Sequence, residues 1–106
     1  MASVFVNAAT ARKDSRNNSV IHGEVRSLES SVLASVEVGS LSAVIDSGTT
    51  MTDSTDYYNV YYSVVTNETK LDQINVVKKY FTDLGYNVQI TENPLTENTI
   101  VWTISW

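Results

Sequence analysis

The chain has 106 residues, 42% of them hydrophobic, no cysteine and a formal net charge of −5. A chain of this size supports one core, burying roughly 65% of its unfolded surface, and is read as a single domain, 1–106, made of an amino-terminal segment and helix (1–39) and a core (40–106). Disulfides and thiolate metal sites are excluded, a lone histidine supplies no imidazole cluster, and the negative balance disfavours binding to nucleic-acid phosphates.

The first residues, Val4, Phe5 and Val6, form a short apolar run suited to an edge strand or to contact with a neighbouring subunit. Asn7 can cap the helix that follows. From Ala8 to Val38 the pattern is helical, and Ile21, Val25, Leu28, Val32 and Val36 recur at spacings of four and three, a continuous apolar stripe that Leu33 widens. Such a stripe either lies across the chain's own sheet or forms a seam between subunits. The first half of this stretch is more polar, and Asn17, Asn18, Ser19 and Gly23 are poor helix formers, so a break or fray is expected near Ser19. Arg12, Lys13 and Arg16 are read as a solvated helix surface, and His22 as a flank position without chemistry.

Gly39 predicts a left-handed helix stop. Leu41, Ala43 and Ile45 then alternate with Ser42, Val44 and Asp46 as a short strand, ended by the turn residues Ser47, Gly48, Thr49 and Thr50. The next segment is ambiguous, because Tyr57, Tyr58, Val60, Tyr61 and Tyr62 suit a strand while Ser54 and Asp56 suit a helix start; a short helix over 56–63 is expected. Thr66 or Asn67 caps a second amphipathic helix, with Leu71, Ile74, Val77, Phe81 and Leu84 on its buried side and Gly85 as its stop. Val88 and Ile90 face inward on the following strand with Tyr86. A loop containing Pro94 leads to the last strand, where Ile100, Trp102, Ile104 and Trp106 share one face.

The predicted fold class is α+β: a long N-terminal helix and a small, largely antiparallel sheet whose C-terminal β-hairpin packs on an amphipathic helix. The expected core is Leu71, Ile74, Val77, Phe81, Leu84, Val88, Ile90, Ile100, Trp102 and Ile104. No stretch reaches the roughly 20 apolar residues of a membrane span, and the first ten residues lack the pattern of a secretory signal, so the chain is read as soluble and unprocessed.

Three groups of residues invite chemistry. Ala43-Val44-Ile45-Asp46-Ser47-Gly48-Thr49-Thr50 resembles the catalytic turn of aspartic proteases, whose two carboxylates share a proton and activate water. A chain of this length would supply the pair only as a homodimer with one Asp46 from each copy, like retroviral-type proteases; four glycines and no flap-like stretch after Gly48 depart from that family. Hydrophobic strands also commonly end in Asp-Ser-Gly turns, because Asp and Ser favour turns and Gly adopts positive φ. Tyr57, Tyr58, Tyr61 and Tyr62 offer stacking faces, or pack a short helix with their hydroxyls outward. Asp53, Asp56, Glu68 and Asp72 follow no calcium-loop spacing and read as caps and solvated faces. No metal, cofactor or small-molecule substrate is expected.

The stretches Thr49-Thr50-Met51-Thr52 and Tyr57-Tyr58-Asn59-Val60, then Val77 through Tyr86 and Asn93 through Trp106, together resemble small virion proteins of tailed phages, notably those infecting marine cyanobacteria. Ala11 through Ser15 and Ile21 through Arg26 are similar as well, so the resemblance covers most of the chain. It implies a non-enzymatic structural subunit of a capsid, neck or tail, located in the virion, whose partners are copies of itself in a trimer or ring and other virion proteins. Val4, Phe5 and Val6 with Ile21, Val25, Leu28, Val32 and Val36 then become the candidate subunit interface. The alternatives are the dimeric aspartic protease and a phage-encoded module that presents Tyr57 to Tyr62 to a host partner.

Overall fold

The structure, a computed structural model, describes the backbone of residues 8–106 and the side chains of residues 18–106. Helix α1 runs from Ala8 to Glu37, followed by strand β1 (Ser42–Ile45), helix α2 (Thr55–Tyr61), helix α3 (Glu68–Asp83) and strands β2 (Asn87–Glu92) and β3 (Ile100–Ser105). The α+β class is as predicted. Val4, Phe5 and Val6 lie outside the described residues.

β3 is the centre of an antiparallel sheet ordered β1-β3-β2. Its register aligns two rows of apolar side chains across all three strands, Ile45–Trp102–Ile90 and Ala43–Ile104–Val88. Alternation sends those rows to one face, where α1 and α3 cover them, and leaves Ser42, Val44, Asn87, Gln89 and Thr91 exposed on the other. This explains why the terminal strand is the most buried element: it is flanked on both edges and roofed by helices. Ile100, Trp102 and Ile104 are completely buried, joined by Leu28, Met51, Ile74 and Val77. Burying each such side chain stabilises the fold by about 1.5 to 3 kcal/mol.

The helix boundaries follow local chemistry. The Ser54 side chain accepts from the Asp56 N–H at 3.2 Å to open α2, and Asn67 Oδ1 accepts from the Lys70 N–H at 3.1 Å to open α3. Gly39 and Gly85 take φ of 82° and 96° just past α1 and α3, which lets the chain reverse at little steric cost. α1 has no break at Ser19: its backbone is helical throughout its length, so the polar residues there lower propensity without interrupting the hydrogen-bonded ladder.

Two members of the expected core are corrected. Leu84 is 61% exposed because α3 ends at Asp83 and Leu84 is the C-cap residue, turned away from the sheet. Leu71, 37% exposed, is covered only in part, since α3 buries the face made by Gln73, Ile74, Val77 and Phe81 and Leu71 lies at that face's edge. Val88 is half-buried, and Trp106, one residue beyond β3, sits with its ring edge-on to Tyr86, 6.0 Å between centroids.

Candidate functional site

The middle of α1 carries a carboxylate into the core. Glu24 is 1% exposed, and it sits three residues after Ile21 and four before Leu28, inside the arc of the apolar stripe. Three neutral donors converge on it. Thr49 Oγ1 donates to Oε2 at 2.7 Å, Trp102 Nε1 donates to the same oxygen at 3.0 Å, and the Met51 N–H donates to Oε1 at 3.3 Å. One side chain therefore ties together α1, the loop after β1 and the central strand, residues separated by 25 to 78 positions in sequence.

The loop is folded to make this possible. Gly48, at φ 84°, reverses the chain, and its N–H donates to Asp53 Oδ1 at 2.9 Å. Thr49 and Thr52 then close a tight turn: their backbone N–H groups donate to each other's hydroxyls at 3.2 and 3.1 Å, and the two hydroxyls lie 2.8 Å apart. Either hydroxyl can be the donor in that pair. An ionised Glu24 accepts a hydrogen bond from the Thr49 hydroxyl, whereas a protonated Glu24 can donate to Thr49 while Thr49 donates onward to Thr52. Both protonation states are thus accommodated without an unpaired group. Burial pushes the Glu24 carboxyl above its ordinary value of 4.5, and the Asp53 charge adds to the rise, while the hydrogen bonds from Thr49, Met51 and Trp102 oppose it.

A second buried polar contact fastens α2 to α3: the Tyr57 hydroxyl donates to Gln73 Oε1 at 2.7 Å. Lys70 lies over the Tyr57 ring, 5.5 Å from its centroid. Of the remaining tyrosines, Tyr58 and Tyr61 are half-buried against the core and Tyr62 is exposed, with the Tyr58–Tyr62 and Tyr61–Tyr62 centroids 4.7 and 5.1 Å apart. The packing role dominates at Tyr57, and a small aromatic surface is left at Tyr62, next to the exposed Val64 and Val65.

Asp46 occupies a different position. It is exposed at the end of β1, where Ser47 Oγ approaches its Oδ1 at 3.4 Å and its own backbone carbonyl accepts from Asn93 Nδ2 at 3.2 Å. Asn93 Oδ1 in turn accepts from the N–H groups of Leu95 and Thr96, holding the β2–β3 connection. The Asp-Ser-Gly sequence thus serves as a strand-end turn in this chain, and the loop that follows it donates to Glu24 from Thr49 and Met51, with Thr52 paired to Thr49. Asp53 acts as an acceptor within the loop, while Asp56 and Glu68 occupy the first turns of α2 and α3, where a negative charge complements the helix dipole. Among the described residues, no three acidic or histidine side chains gather to hold a metal ion, and no helix is long and apolar enough to cross a membrane.

The predicted interface stripe of α1 divides in two. Val25, Leu28 and Val32 belong to the chain's own core and Ile21 packs partly against it, because α1 lies across α3 and β1; these residues are taken up within the monomer. Val36, 49% exposed, remains outside with Leu33, 61% exposed. Together with Leu84 they wall a groove of about 220 Å³ floored by Val32 and Phe81 and rimmed by Glu29 and Tyr86. Val38 and Leu41, which follow α1 in the chain, are exposed as well. No protein-family profile, characterised protein or solved structure matches this chain.

Proposed function

We propose that this protein is a non-enzymatic structural subunit of a tailed-phage virion that acts in contact with copies of itself and with other virion proteins. The observation that carries the reading is the apolar groove at the carboxyl end of α1, where Leu33, Val36 and Leu84 face solvent around Val32 and Phe81. Exposed apolar groups gathered in one place mark a surface that gains stability from a neighbour. A subunit of a particle meets that condition continuously, because its neighbours are always present. The sequence resemblance to small phage virion proteins points to the same setting, and the polar locks at Glu24 and Tyr57 give the rigid body that a building block requires.

Quantitative mass spectrometry of purified particles tests the reading. The protein is expected at a fixed copy number per particle that persists through gradient purification; loss of the protein on purification would remove the proposal.

A further inference from the structure

The groove walled by Leu33, Val36 and Leu84 has a rim of definite sign. Glu29, Leu33 and Glu37 follow one another at intervals of four on α1, so a carboxylate stands on each side of Leu33 along the same ridge. Asp83, beside Leu84, is engaged by Lys79 at 2.6 Å. More broadly, residues 18–106 hold four basic and eleven acidic side chains, a formal charge of −7, while residues 1–17 hold three basic and one acidic, a formal charge of +2. Two bodies of this kind repel one another face to face. The amino-terminal segment is complementary in both respects, with the apolar Val4-Phe5-Val6 run followed by Arg12, Lys13 and Arg16.

That segment cannot reach the groove of its own chain. At about 1.5 Å per helical residue, the backbone of Ala8 lies about 36 Å along α1 from Val32. The few residues from Ala8 back to Val4 span at most roughly 14 Å when fully extended. Contact between the two is therefore possible only between molecules.

We propose that the groove at Leu33, Val36 and Leu84 receives the amino-terminal segment of a second copy, with Phe5 entering the apolar floor and the basic residues meeting the Glu29 and Glu37 rim. The proposal rests on the homo-oligomeric part of the function proposed above. Because the donating and accepting surfaces differ, the contact is head to tail, and repetition closes a ring or continues as an open filament.

Light scattering on the full chain, across a concentration series, tests this with three proteins. Wild type is expected to associate. Phe5→Asp, which spoils the donor, and Leu33→Asp, which spoils the acceptor at an exposed position, are each expected to weaken association by about tenfold or more, since either puts a charge into an apolar contact. Leu84→Asp repeats the acceptor test on the opposite wall, and circular dichroism identifies any variant that has lost its fold. An equimolar mixture of Phe5→Asp and Leu33→Asp retains one intact donor and one intact acceptor, so it is expected to form a dimer that grows no further. A monomeric wild type, association of either variant at wild-type strength, or a mixture that stays monomeric overturns the proposal. Particle analysis separates the two ideas: a chain that assembles this way but is missing from virions defeats only the virion reading. A virion component whose Phe5→Asp and Leu33→Asp forms assemble normally defeats only the head-to-tail contact.

Discussion

The middle and the carboxyl end of α1 belong to one helix and solve opposite problems. Around Glu24, an ionisable side chain is held inside and three donors converge on it, so the helix, the loop over 48–53 and β3 form one unit. Two turns later, Leu33 and Val36 remain outside beside Leu84, with no covering element. The contrast teaches that a helix can be fixed by a few interior contacts and still offer apolar surface elsewhere.

The largest expected effect breaks the locked region. Trp102→Ala removes a fully buried indole from the central row of the sheet and takes the Nε1 donor away from Glu24. Large-to-small changes of this kind cost about 3 to 5 kcal/mol, measurable by urea unfolding. A cost below about 1 kcal/mol would contradict the burial. Glu24→Leu comes next, at about 2 to 4 kcal/mol near neutral pH, because the Met51 N–H and Trp102 Nε1 lose their acceptor while the removal of a buried charge partly offsets that loss.

The same carboxylate gives a pH test with a definite sign. Burial raises the Glu24 pKa in the folded state above its ordinary value of 4.5, so folding favours the protonated form. This contribution is fully present below 4.5 and is lost as pH rises through the folded value. Relative to Glu24→Gln, which cannot titrate, wild type is expected to lose stability across that window. A difference that is flat with pH would show that the three donated hydrogen bonds balance desolvation, and one that grows with rising pH would show that they outweigh it.

Most of the framework was legible because periodicity reports burial. The stripe on α3, the alternation in β3 and the glycine stops at Gly39 and Gly85 identified helices, strands and their order. The failures came where the partner surface lies far away in sequence. Leu71 and Leu84 satisfy the spacing of α3, yet the sheet covers only the sector through Ile74, Val77 and Phe81. By residue type Glu24 gives no such signal, because a glutamate in a helix reads as solvated surface. Its position between Ile21 and Leu28 was an available signal, but its partners Thr49, Met51 and Trp102 are contributed by the loop and by β3, and only the fold brings them within reach. The Asp46 turn shows the converse: a short motif suggestive of chemistry is legible as a turn and, in this chain, positions its neighbours against a buried helix residue.

The finest contrast lies between two adjacent residues. Val32 is buried at the floor of the groove and Leu33 is exposed on its wall, so substitution separates the helix's contribution to its own fold from its surface. Val32→Ala is expected to cost about 1 to 3 kcal/mol, combining lost burial with a residual cavity. Leu33→Ser should change monomer stability by no more than about 0.5 kcal/mol, despite deleting the larger side chain. Both are read from unfolding at concentrations below the onset of association, where mass action adds nothing to the apparent stability. An equal cost at the two positions would mean that Leu33 is covered within the monomer, and the open end of α1 would then be part of the locked region.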